Sequence, residues 1–129
     1  MPARRVRGQA LVEMALILPV LLMLAMGTLD VGRVFGGYLA LADAAREGAA
    51  YASLHSTDTG LAADVNSAIT RETNGTVPGT LTVTITPSAL TVGSAVDITV
   101  SAAYPLMTTA VLGWKSLTIQ ATASMMVQQ

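Results

Sequence analysis

Twenty consecutive residues, Ala10 to Leu29, contain a single charged side chain, Glu13. A helix of that length rises 1.5 Å per residue and so crosses the roughly 30 Å hydrocarbon layer of a bilayer. The run is therefore a candidate membrane span, and any globular part of the chain must lie beyond it. Arg4, Arg5 and Arg7 precede it with no acid among them. The positive-inside bias keeps that end cytoplasmic and sends the remainder across.

A secretory signal is the competing reading, with a basic start, an apolar middle and a small-x-small site at Ala25-Met26-Gly27. The run is longer than the roughly 7 to 15 residues usual for such a middle, and an acid sits in its first third. The helical pattern also continues past residue 27. Tyr38, Leu41, Ala45, Gly48, Ala49 and Ala52 fall within about 100° of one another at 3.6 residues per turn, while Asp43, Arg46 and Glu47 lie on the other side. One helix from Gly8 to about Leu54 would be roughly 70 Å long. Its stripe of Ala and Gly admits close neighbours: the chain's own head from about Tyr38 upward, a partner helix lower down. Pro19 removes an amide donor and crowds the carbonyl of Ala15, so a kink is expected there. Gly27, Gly32, Gly36 and Gly37 weaken the middle of the rod, each by up to about 1 kcal/mol relative to Ala.

The polar stretch His55 to Gly60 ends this helix. The lone histidine, His55, reads as a surface side chain. Leu61, Val65, Ala68 and Ile69 recur at helical spacing and predict a short helix from about Gly60 to Glu72, capped by Asp58 or Thr59. Asn74-Gly75 and Pro78-Gly79 are turn signals. From Thr80 the period changes to two. Leu81, Val83 and Ile85 alternate with threonines; Val96, Ile98, Val100 and Ala102 form a second series; Leu117, Ile119, Ala121 and Ala123 form a third. Three strands with one apolar face each need a cover, and the upper half of the long helix supplies it.

The expected fold is thus α+β: a long N-terminal helix, transmembrane in its lower half, packed against a small three-stranded antiparallel sheet. Residues 1–8 form a basic cytoplasmic leader, 9–30 the transmembrane helix, 31–55 its extracytoplasmic continuation and 56–129 a small head. The loop "YPLMTTAVLGW", from Tyr104 to Trp114, is apolar without alternation and reads either as a core plug or as an exposed contact patch. Met125 and Met126 are expected at the edge or end of the sheet.

Little here resembles catalytic chemistry. Of 129 residues only 12% are charged, none is cysteine and one is histidine, so thiolate catalysis, disulfides and Cys cages are excluded. Nucleophile-elbow, zinc-protease and phosphate-loop motifs are absent. Asp43 and Glu47 stand one turn apart on a helical face that solvent explains. Beyond residue 55 four acids face two bases, which argues against a nucleic-acid surface. No enzyme activity, cofactor or metal site is expected.

Glu13 is the exception that needs a reason. An acid at the centre of a span costs about 2.5 to 3.5 kcal/mol on insertion scales, so it must neutralise, reach the interface or meet a cation. Arg4 or Arg7 could serve. Cleavage after Gly8 would provide another cation, because Gln9 would then carry a free α-amino group and Glu13 would be the fifth residue.

The stretch "RGQALVEMALILPVLLMLAMGTLDVGRVF", continued by "YLALADAAREGAAYA", closely resembles the amino-terminal region of the TadE-like family, minor pilin-like proteins of the tight-adherence (Flp) pilus system. Its Gly, Glu, Pro, Asp-x-Gly-Arg and Ala-Ala-Arg-Glu-Gly elements occur together and in order. The resemblance implies a pilin-like fold and a single-pass protein of the cytoplasmic membrane. It implies processing between Gly8 and Gln9 by a prepilin peptidase, with Glu13 as the acid that aids recruitment into an assembling fibre. The implied partners are other pilin-like subunits, that peptidase, the membrane assembly platform and the lipid bilayer. The alternative is an uncleaved single-pass envelope protein with a scaffold or binding role.

Overall fold

The computed structural model describes residues 4–73, 75–108, 113 and 116–128, with side chains from Gly8 onward. Asn74 of the Asn74-Gly75 turn, Trp114 of the apolar loop and the side chains of Arg4, Arg5 and Arg7 lie outside the described residues.

A single helix, α1, runs from Arg4 to Leu54 and passes through Pro19 without a break. It begins four residues before Gly8, since Arg and Val in the leader are compatible with a helix. Below Asp30 every described side chain of α1 is open to its surroundings except the half-covered position Gly27. Leu11, Leu16 and Leu24 are among those exposed. Exposed aliphatic surface of that extent marks a contact with a membrane or with another protein, and the helix is long and apolar enough to cross a membrane.

Above this level α1 becomes one side of a core. Short helix α2, Leu61–Thr73, turns Val65, Ala68, Ile69 and Thr73 inward. Its first bonds run from the amides of Ala63 and Asp64 to the carbonyl of Gly60. The cap position thus falls to Gly60, whose φ of +104° suits a residue without a Cβ, and not to Asp58 or Thr59.

Strands β1 (Leu81–Thr86), β2 (Ala95–Tyr104) and β3 (Leu117–Met126) form an antiparallel sheet in the order β1-β2-β3. The register places Ile85 opposite Ile98 and Val83 opposite Val100. Across the other seam Val100 meets Ala121 and Ala102 meets Ile119. These apolar residues face the helices, whereas threonines face out; Thr99 and Thr122 Oγ1 atoms pair at 2.9 Å on that outer side. The period-two reading places each strand to within a residue or two. Val96, Ile98 and Val100 are fully buried with Leu41, Val65 and Ile69, each contributing about 1.5–3 kcal/mol through burial. Met125 packs partly on the core, while Met126 is exposed on the edge strand.

The upper end is tied by the chain's last described residues. The amide of Gln128 donates to the carbonyl of Ser53 at 2.9 Å, and that of Val127 to Ser94. His55 is not a free surface side chain: its ring stacks on Tyr51 at 4.2 Å and it is half-buried at the end of α1. A helix terminus leaves carbonyls unpaired, and Nδ1 of His55 lies 3.0 Å from the carbonyl of Tyr51.

Candidate functional site

The buried line of α1 runs through Asp30, Gly37, Leu41, Ala44, Ala45, Gly48, Ala49 and Ala52. Five of these, Leu41, Ala45, Gly48, Ala49 and Ala52, are the small and apolar positions that helical spacing selects. Tyr38 stands apart from them at 45% exposed. Gly37 takes the buried place instead, for a steric reason. A Cβ on Gly37 would lie 2.7 Å from Cε2 of Tyr104 and 3.3 Å from Cδ1 of Ile119. The chain rotates about 100° per residue in a helix, so Tyr38 is carried onto the neighbouring face. There it lines an open, almost wholly apolar groove of about 490 Å³ with Val31, Phe35, Leu106 and Leu117.

The lowest member of the buried line is an acid. Asp30 is 5% exposed and its carboxylate accepts three hydrogen bonds from the segment after β2. The amide of Met107 donates to Oδ1 at 2.8 Å, the amide of Thr108 to Oδ2 at 2.8 Å, and the Thr108 hydroxyl to Oδ2 at 2.9 Å. Arg33, one turn on, brings Nη1 to 3.8 Å from Oδ1 and sets its guanidinium 5.7 Å from the centre of the Tyr104 ring. Tyr104, 4% exposed, rests in turn on Gly37. The four residues Asp30, Arg33, Gly37 and Tyr104 thus form one continuous latch, fixing the head to the helix where its bare apolar segment ends. Charge-assisted bonds to backbone amides are directional and strong, so the latch sets the height of the head on the rod.

In the sequence Asp30 and Arg33 stand out only as members of the Asp-x-Gly-Arg element. The local pattern there is an acid and a base one turn apart at the exit of an apolar run. Tyr104 is a core residue and Met107 is exposed, so the described part of that loop contributes both kinds of surface. The Ala-Ala-Arg-Glu-Gly element divides similarly: Ala44, Ala45 and Gly48 are buried, whereas Arg46 and Glu47 are exposed. Gly48 also marks a close approach, for a Cβ there would lie 2.9 Å from Cδ1 of Ile69.

The lower residues remain separate from the latch. Gly8, Gln9, Glu13 and Pro19 are all exposed on α1. A Cβ added to Gly8 would meet nothing within 4 Å. Glu13 has no ion pair among the described residues.

The architecture defines a class: one long helix, bare and apolar below, with a small antiparallel head clamped to its upper half. Within that class the chain matches the family model described as TadE-like protein over residues 8–50, the family its amino-terminal motifs resemble. The match covers the bare segment, the Asp30–Arg33 pair and Gly37. None of the curated proteins or solved structures compared matches the chain.

Proposed function

We propose that this chain is a non-enzymatic, minor pilin-like subunit that inserts in the cytoplasmic membrane and takes part in assembling a tight-adherence pilus. The observation that carries this reading is that one unbroken helix holds the matched region from Gly8 to residue 50. The candidate junction, the acid, the span and the helix side of the head latch therefore lie on one continuous helix. The amino terminus is cytoplasmic and the head extracytoplasmic, following the arginine bias. Other pilin-like subunits, a prepilin peptidase and the assembly platform are the proposed partners.

The latch gives this reading a membrane register. A hydrocarbon layer ending at the lower edge of the head, near Leu29, reaches down about 30 Å to Ala10. Glu13 then sits about 4.5 Å inside the inner boundary by helical rise. That is shallow enough for the carboxylate to meet water, an arginine of the leader, or the ammonium of Gln9 once Gly8 is removed. Its role is pairing during recruitment, and its cost in the free membrane is small.

The mass and amino-terminal sequence of the mature protein test the proposal. A chain beginning at Gln9 is the expected result. A start at Met1 favours an uncleaved single-pass envelope protein, and a start near Thr28 removes the span and sinks both readings. Glu13→Gln should leave membrane insertion intact while reducing recovery with pilus components, to a tenth or less if the charge pair contributes about 1.4 kcal/mol or more. Wild-type levels of co-purification would remove the carboxylate's charge from the mechanism.

A further inference from the structure

The turn that follows β2 lies beside the apolar segment of α1. Asp30, one residue above that segment, accepts the amides of Met107 and Thr108 at 2.8 Å each. Side chains on a helix tilt toward its amino terminus, so the Asp30 carboxylate, and the turn it holds, sit at or below the level of its own Cα. A second contact agrees with this. Gly27, the half-covered position of the bare segment, lines the apolar groove together with Leu106 and Thr108. It stands one turn below Asp30, about 4.5 Å along the axis. The turn after β2 thus reaches down to the span.

That level is the edge of the bilayer on the side of the head. Counted upward from Ala10, where the apolar run begins above the arginine leader, about 30 Å of hydrocarbon ends at Leu29. Any tilt of α1 moves the boundary higher on the helix and seats the turn deeper. The chemistry of the turn suits this place. No residue from Ser101 to Trp114 is charged. Pro105 and Met107 are exposed, Met107 by 51%. Irregular backbone that enters an apolar layer must have its amides paired; Pro105 has no amide hydrogen, and those of Met107 and Thr108 are donated to Asp30. Val31, 70% exposed one residue above Asp30, lines the same groove as Leu106 and carries the apolar surface of the span across to the turn.

We infer that the turn Pro105–Met107 rests in the leaflet on the side of the head, with the Met107 side chain among the upper acyl carbons of phospholipid. Lipid is the occupant because the turn stands at the depth of the span's upper end and its apolar surface is continuous with the span. The head then meets the bilayer at two places, α1 and this turn. Asp30 gains a second use, since it satisfies the donors that would otherwise keep the turn in water. The second contact limits how far the head can tip about the point where α1 leaves the membrane. The inference rests on the reading of α1 as a membrane span, but on neither cleavage at Gly8 nor entry into a fibre.

The chain contains no cysteine, so single cysteines can carry an environment-sensitive fluorophore in the full-length protein, one copy per nanodisc of phosphatidylcholine and phosphatidylglycerol. Met107→Cys labels the turn, and Leu18→Cys, 54% exposed, labels the middle of the span. Val92→Cys is the water-facing control: it is an apolar side chain 68% exposed, before the opposite end of β2, a strand of ten residues and therefore roughly 30 Å long. All three positions are exposed, so the substitutions leave the core intact. The Met107 probe should lose at least about half of its emission to lipids bearing a nitroxide near the headgroup end of the acyl chain, the depth of an interfacial side chain. It should lose less to nitroxides near the chain terminus, whereas the Leu18 probe should show the reverse order. The Val92 probe should lose under about a tenth to either. Quenching at Leu18 with none at Met107 overturns the contact and leaves the span standing. No quenching at Leu18 overturns the span and the contact together. Because each disc holds one copy, a turn made for a protein partner would leave the Met107 probe in water, and emission matching that of Val92 therefore also overturns the inference.

Discussion

Asp30→Ala should release the segment after β2 from the helix and expose the underside of the head. The carboxylate accepts two backbone amides and a hydroxyl, and alanine leaves all three donors without their partner. Arg33 also loses its acid, which removes the group that steers it over Tyr104. Hydrogen exchange at the Met107 and Thr108 amides is the direct measurement. Their exchange should accelerate by roughly ten- to a hundredfold, the range associated with losing charge-assisted bonds. Asp30→Asn should fall between, since the amide oxygen accepts one backbone N–H while its NH₂ faces the other. Asp43→Ala is the matched control: its pair with Arg46 is 2.8 Å long but solvent-exposed on both sides, and such pairs contribute little. Wild-type exchange at Met107 and Thr108 in Asp30→Ala would mean that the latch does not hold the loop.

The contrast between Asp30 and the strands shows what the sequence made legible. Ile98 declares its environment through its own neighbours, because Val96 and Val100 repeat it at a period of two. A sheet face needs no more information than that. The stripe Leu41, Ala45, Gly48, Ala52 is similarly local, being a helical period on an already apolar segment. Asp30 is different, since the donors that define its role lie 77 and 78 residues further along the chain. Neither its spacing nor its type distinguishes a latch from a solvated acid at the end of a span. Tyr38 and Gly37 illustrate the same limit at one-residue resolution. Hydrophobicity favours burying the tyrosine, but the ring of Tyr104 occupies the space where a side chain on residue 37 would go. Tertiary sterics therefore decide which of two adjacent residues faces the core.

That last distinction can be measured by pairing Gly36→Ala with Gly37→Ala. Both substitutions replace a helical glycine, and each gains about 1 kcal/mol of intrinsic helix propensity. A Cβ at residue 36 meets nothing within 4 Å, whereas one at residue 37 meets the Tyr104 ring at 2.7 Å. The ring has little freedom to withdraw, with Ile119 beside the same point at 3.3 Å and the Arg33 guanidinium over its face. Overpacking of this sort costs about 1–3 kcal/mol. The propensity gain cancels in the difference between the two variants, so that difference reads the contact alone. Gly36→Ala should raise the denaturant midpoint of the head, and Gly37→Ala should lie below it by about 1–3 kcal/mol. Equal stability of the two would show that Tyr104 moves aside freely, and the latch would then lose its upper member. If the difference appears, the glycine inside this long helix is there for the tyrosine that the head rests upon it, and the head's position on the rod is fixed by shape as well as by charge.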